Sequence, residues 1–327
     1  MAAADGTEAH AAAAAPALTL DAVRGAGKPG LARALAAMER TGAAPAVAAL
    51  LDAAYDAPVG HVLGLTGPPG VGKSTLVNRL IALWRGRGET VGVIAVDPTS
   101  RATGGALLGD RTRFKTDPED QGVFVRSMAA REALGGLAEL TFPATVLMRA
   151  LFDHVIVETV GVGQSETDVG QVADTVAFCI QPGSGDSLQF MKAGIMEVPD
   201  LFVVTKADLG TPAQKAVADV EGALSLAAGR GDWTPPVLSV SADRHAGLDA
   251  FIDAVAAHAR SLAAPAEALA TRRAAQARAW LMAAVRARFG SAGTALMDPA
   301  ALDARTDRFF TARTSLLASL DVVRTDG

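Results

Sequence analysis

The sequence predicts an α/β fold: a doubly wound, mainly parallel sheet with helices before it and a helical extension after it. Three observations carry this. Seven short, valine-rich apolar runs recur between His61 and Ala242 with helical stretches between them, as strands buried on both faces require. A glycine-rich turn joins the first run to a helix. Past Leu262 the β pattern stops and the sequence reads as helix.

Residues 1–18 hold an alanine tract without a basic n-region, and Asp5 and Glu8 oppose a signal or transit peptide, so a disordered leader is expected. Residues 19–56 form an N-terminal helical segment, with "LARALAAMER" and "AAPAVAALLDAAY" as helices broken near "TGAAP". Residues 57–262 carry the sheet, whose strands are "HVLGLTG", "TVGVIAVD", "VFVRS", "HVIVETVG", "TVAFCIQPG", "DLFVVTK" and "PPVLSVSA". Residues 263–327 are the helical extension: a long amphipathic helix ending at Gly290, then "DRFFTARTSLLASLD". Trp280, Leu281, Val285 and Phe289 fall at helical spacing there, a stripe for the chain's own core or for a dimer seam. Packing on the chain itself is the preferred reading.

At 327 residues the chain can bury one large α/β core with appendages. Its composition, 50% hydrophobic and 20% charged, is that of a globular protein rather than a disordered one. A net charge of -5 without a long basic run speaks against nucleic-acid and anionic-membrane partners. No uninterrupted apolar stretch reaches the ~18 residues of a membrane span. The lone Cys179 sits inside an apolar run and permits no disulfide framework, which points to the cytoplasm.

"GPPGVGKST", Gly67 to Thr75, matches the P-loop pattern G-x-x-x-x-G-K-[ST] between a strand and a helix. Gly67, Pro68, Pro69, Gly70, Val71 and Gly72 form a turn whose backbone N–H groups can cradle phosphate at a helix N-terminus. Lys73 should reach the β/γ-phosphates, and Ser74, followed by Thr75, should ligate Mg²⁺ through its hydroxyl. Asp97 and Glu158 each close a buried run at the sheet edge where phosphates would lie, positions for orienting Mg²⁺ or the attacking water. Gly161, in the loop "ETVGVGQSE", can bring an N–H to the γ-phosphate and release it after hydrolysis, as a switch would. A second glycine-bearing segment, "QPGSGDSLQFMKAG", offers Asp186, Gln189 and Lys192 as relays to a partner, though a surface turn accounts for it equally well.

"VVTKAD" and "VLSVSA" read as two base-contact loops, with Asp208 the discriminating group. A carboxylate there accepts from guanine N1–H and the 2-amino group, whereas adenine leaves it unpaired. Lys206 can lay its stem along the base or brace the P-loop. Ser241 and Ala242 end the second loop, where the Ala242 N–H can meet guanine O6. Thr205 stands where such loops usually carry Asn; weaker loop bracing and intact guanine selectivity are expected. GTP is the expected nucleotide.

Together with "VIAVDPTS", "GGALLGDRTR" and "WTPPVLSVSA", these motifs resemble the methylmalonyl-CoA mutase-associated GTPase family, also called MeaB or ArgK-like, in order from about His61 to Leu262. The resemblance implies a P-loop GTPase that protects an adenosylcobalamin-dependent acyl-CoA mutase, gates its cofactor loading and dimerises through C-terminal helices. It implies phosphate, Mg²⁺ and water-positioning roles for Lys73, Ser74, Asp97, Asp110 and Glu158, Asp110 resting chiefly on the resemblance. The departure from the better-known members is Thr205. Three alternatives stand beside this reading: a metal-insertion GTPase, although one Cys and five scattered His show no ligand spacing; a protein kinase associated with amino-acid transport; and a GTP-dependent scaffold.

Overall fold

The computed structural model describes residues 18–41, 44–98, 114–130, 140–159, 168–183, 198–226, 233–264, 267–297 and 308–325. All seven predicted runs are strands: β1 (His61–Thr66), β2 (Val91–Pro98), β3 (Val123–Ala130), β4 (His154–Glu158), β5 (Thr175–Ile180), β6 (Leu201–Val204) and β7 (Val237–Ser239). They form one sheet of order β3-β2-β4-β1-β5-β6-β7. Every pairing is parallel. The chain leaves β1 toward β2 on one side and later fills β5 to β7 on the other, so a switch point lies beside β1.

Alternation along the strands divides the core. Val62, Ile94, Val96, Val155 and Val157 face one layer. Leu63, Leu65, Val93, Ala95 and Ile156 face the opposite one. The first layer is covered by α1 (Leu20–Thr41), α2 (Pro45–Asp56), α4 (Thr141–Arg149), α7 (Ala268–Ala295) and α8 (Phe309–Thr325). The second is covered by α3 (Lys73–Gly86) and α6 (Leu248–Ala263). Helix α5 (Thr211–Leu226) closes the β6–β7 edge.

The N-terminal helix begins earlier than the predicted run at Leu31, because Thr19 Oγ1 accepts a hydrogen bond from the Ala22 N–H at 3.2 Å and caps it. It bends at Gly27 (φ 59°), just before Pro29. In α7 the helical backbone is interrupted at Gly290 (φ 66°, ψ -161°), the residue at which the sequence ended the helix, and helix resumes beyond it. Trp280, Leu281 and Val285 are buried in the chain's own core. There Trp280 stacks on Phe142 at 5.1 Å and lies 5.6 Å from Phe310, under the Arg313 guanidinium at 4.3 Å.

Two polar devices join distant parts of the chain. At the start of α8, the buried Asp52 carboxylate accepts from the Phe310 N–H (2.6 Å), the Thr311 N–H (3.2 Å) and the Thr311 hydroxyl (2.5 Å), so α2 caps α8. At the amino ends of the strands, Asp174 is fully buried. It accepts from the Val62 N–H (2.9 Å) and from Arg273 through Nε (2.9 Å) and Nη2 (2.7 Å). Burial alone would raise this carboxyl, but Arg273, Arg149 and His61 hold it below the usual range. The neighbouring Asp200 pairs with Arg272 at 2.9 Å and with His258 at 3.3 Å. Thr175 Oγ1 lies 2.7 Å from a ring nitrogen of both His61 and His258. Among the described residues, no helix is long and apolar enough to cross a membrane.

Candidate nucleotide site

Gly67 to Thr75 follows β1 and runs into α3. Gly67 adopts φ 130°, and a β-carbon there would collide with the Cys179 backbone carbonyl on β5. Gly72, at φ 106°, sits immediately before α3 in a conformation costly for any side chain. The loop can therefore lie close over the sheet with its amides at the helix N-terminus. Lys73 is buried, and its ammonium donates to the carbonyls of Gly67 (2.6 Å) and Pro68 (2.9 Å).

The carboxyl ends of β1, β2 and β4 bring the predicted acidic residues to this loop. Glu158 lies beside Leu65 of β1 and Ala95 of β2 in the sheet register. The Ser74 hydroxyl donates to Glu158 Oε1 at 2.7 Å. Asp97 lies near the end of β2, two residues beyond Ala95, and both carboxylates are fully buried. The hydroxyls of Thr66 and Thr159, residues the motifs did not single out, meet at 3.0 Å just behind the loop. Asp110, Gly161, Asp186, Gln189 and Lys192 lie outside the described residues.

The base-contact loops stand beside the phosphate loop. Lys206 takes a left-handed backbone conformation (φ 52°), which turns its ammonium onto the Gly70 carbonyl (3.1 Å) and Gln181 Oε1 (3.0 Å). The Thr205 hydroxyl lies 2.7 Å from the Val71 carbonyl and 3.1 Å from the Ile180 carbonyl, so this shorter side chain still ties the base loop to the P-loop. Ser241 donates to Asp208 Oδ1 at 2.5 Å. That bond, followed by the Asp208 backbone N–H, holds the Asp208 carboxyl below its ordinary range, with burial opposing. The carboxylate itself is exposed and available to a ligand. Val71, Gly72, Thr75, Thr205, Lys206, Asp208 and Ala242 line one open cleft.

One contact was not legible in any motif. Arg79, on α3, donates from Nε to the Ala242 carbonyl at 2.8 Å. Its only sequence signal is a basic residue six positions beyond Lys73 on the helix that follows the P-loop.

A family model described as methylmalonyl Co-A mutase-associated GTPase MeaB matches residues 31–297. The chain belongs to the MeaB family. MeaB-family likeness extends to a candidate GTPase of Pyrococcus abyssi, 46% identical over 202 residues, covering 61% of this chain and 62% of that protein. It extends also to the mouse (Mus musculus) protein named methylmalonic aciduria type A homolog, mitochondrial, 37% identical over 68% of this chain and 55% of that one. The chain thus spans less than two thirds of the length of these relatives. A solved structure titled LAO/AO transport system kinase superposes with a TM-score of 0.66 at 28% identity, covering 94% of this chain and 96% of that one. The MeaB match runs from the middle of α1 to just past the end of α7, and α8 lies beyond it.

Proposed function

We propose that this chain binds GTP and GDP, hydrolyses GTP to GDP and phosphate with Mg²⁺, and protects an adenosylcobalamin-dependent acyl-CoA mutase while gating its cofactor loading. The observation that carries the nucleotide reading is one cleft lined both by Asp208 and Ala242 and by Val71, Gly72 and Thr75 of the P-loop. The mutase reading rests on membership of the MeaB family.

Asp208, kept ionised by Ser241, accepts from guanine N1–H and the 2-amino group, and Ala242 N–H donates to O6. Adenine offers an acceptor and an amine at those positions and is rejected. The P-loop amides and the start of α3 hold the phosphates, while the Lys73 ammonium exchanges its carbonyl partners for phosphoryl oxygens. Ser74, Asp97 and Glu158 present only oxygen donors, the hard set that suits Mg²⁺. When bound, the ion neutralises charge on the β- and γ-phosphates. Glu158, fixed by Ser74, orients water; Asp110 and Gly161 enter the same scheme by resemblance alone.

A homodimer through the C-terminal extension rests on the family resemblance, since the Trp280, Leu281 and Val285 stripe is taken up by the chain's own core. The proposed compartment is the cytoplasm, with neither nucleic acid nor a membrane as partner. A metal carrier would need its own ligand set, and among the described residues no group of three His, Cys, Asp or Glu can hold an ion. The decisive experiment measures GTP hydrolysis and complex formation with purified candidate mutases. GTP-dependent complexes and mutase-altered turnover are expected. Unchanged turnover with no complex would refute the chaperone role, and transfer of phosphate to a protein acceptor would favour a kinase. Mutase protection retained by a Lys73→Ala protein that binds GTP without turnover would identify a scaffold.

A further inference from the structure

We infer that Arg79 is a positioning residue for base selection, holding the turn that reads guanine O6 onto the helix that holds the phosphates. The inference rests on the guanine reading above and names a residue for it outside the base-contact loops.

The argument begins with the peptide units around Ala242. The Ser241 N–H donates to the Ala246 carbonyl at 2.9 Å, and the Ala246 N–H donates back to the Ser241 carbonyl at 3.0 Å. This two-way bridge fixes the peptide joining Ser241 to Ala242. Because a trans peptide sets its N–H opposite its C=O, the Ala242 N–H must point away from Ala246. The following peptide unit is held by the Ala242 carbonyl, which accepts from Arg79 Nε at 2.8 Å. With one neighbour pinned by Ala246 and the other by Arg79, rotation at Ala242 is restrained on both sides. Ala242 lines the cleft, so the restrained donor is the one available to a base carbonyl.

Arg79 is suited to this task by its place and chemistry. It rises from α3, the helix that starts with Lys73 and Ser74. It is partly buried, so its side chain has little freedom to swing away. A guanidinium is permanently charged, and a charged donor to a carbonyl is stronger than a neutral one. Together with the Thr205 hydroxyl on the Val71 carbonyl and the Lys206 ammonium on the Gly70 carbonyl, it makes a third brace across the site. Those two fasten the Asp208 loop to the P-loop; Arg79 fastens the Ala242 turn to α3.

The chemistry gives the test a signature. GTP and ITP both carry O6, but only GTP carries the 2-amino group read by Asp208. ATP has an amine in place of O6. Affinities of the full-length protein for GTP, GDP, ITP and ATP with Mg²⁺ would be measured calorimetrically for wild type, Arg79→Met and Arg79→Lys. Arg79→Met should weaken GTP, GDP and ITP alike by about tenfold, one well-placed hydrogen bond. The GTP:ITP ratio should stay unchanged and the GTP:ATP ratio should fall. Arg79→Lys, whose ammonium can still donate to the carbonyl, should recover most of the loss. Equal weakening of all four nucleotides would overturn the inference, because it would mark a general distortion of α3. GTP affinity within twofold of wild type would overturn it too. If Arg79→Met does not fold, Arg79→Gln, whose amide stops short of the carbonyl, carries the same comparison. A wild-type protein without preference for GTP over ATP would refute the guanine reading itself, and the inference with it.

Discussion

Replacing Thr205 separates two roles that one loop position could play. Its hydroxyl has a single proton and faces two carbonyls, Val71 at 2.7 Å and Ile180 at 3.1 Å, so it donates fully to only one. An Asn amide carries two N–H donors and can satisfy both. The net worth of one added hydrogen bond is about 0.5–1.5 kcal/mol, a factor of about 2–12 in affinity if it acts only on the ligand-ready loop. Thr205→Asn should therefore tighten GTP and GDP together by that factor and leave the GTP:ATP ratio unchanged, since the proposed reading gives the discriminating to Asp208 and Ala242. Thr205→Val keeps the shape and removes the proton. It strips the Val71 carbonyl of this donor in a buried place, so GTP and GDP should weaken by about 1–3 kcal/mol. Calorimetric titration with GTP, GDP and ATP measures both, and thermal melts show whether the larger Asn is accommodated. A well-folded Thr205→Asn protein with altered base preference would refute this division of labour, as would a Thr205→Val protein that binds normally.

Asp52→Ala should destabilise the protein by about 2–3 kcal/mol in urea unfolding, because it removes a buried carboxylate that caps α8 with three hydrogen bonds; a loss under 0.5 kcal/mol would refute the cap's importance. Burial is the main reason His61 falls to about 4, against the pull of Asp174, with Arg273, His258 and Arg272 lowering it further. The unfolded chain then binds this proton between about pH 6.5 and 4 and the folded chain does not, so stability rises with pH across that window. His61→Gln should flatten this part of a stability–pH curve, and an unchanged slope would exclude His61 as its source. Burial pushes the Cys179 thiol up to about 12. A thiol reagent should leave the native protein unmodified and react once per chain in denaturant.

What the sequence made legible were features written locally. The strands announced themselves because burial on both faces demands nearly unbroken apolar runs such as those within His61–Thr66 and Thr175–Ile180. The P-loop announced itself because a phosphate-binding turn needs glycines at fixed offsets before a helix. Gly290 likewise marked the break in α7, since its positive φ is a property of one residue. Pairings across the chain have no such mark. Arg79 and Ala242 are separated by 163 positions, and Asp52 and Phe310 by 258. Each looked like an ordinary helical or loop residue, because only the folded path brings an acceptor to its donor. Thr205 was intermediate: its position was legible, while the carbonyls it holds were not.

The charges at the amino ends of the strands give the chain a timetable. Asp174 lies just ahead of β5 and Asp200 just ahead of β6, while the guanidinium groups that answer them, Arg273 and Arg272, lie on α7 beyond the last strand. A growing polypeptide that has delivered all seven strands already carries Arg149 and His61 for Asp174, and soon His258 for Asp200, but not the two guanidinium groups that hydrogen-bond them. The amino ends of β5 and β6 therefore receive their full set of charge partners only from a helix made after the sheet is complete, so that edge is finished last.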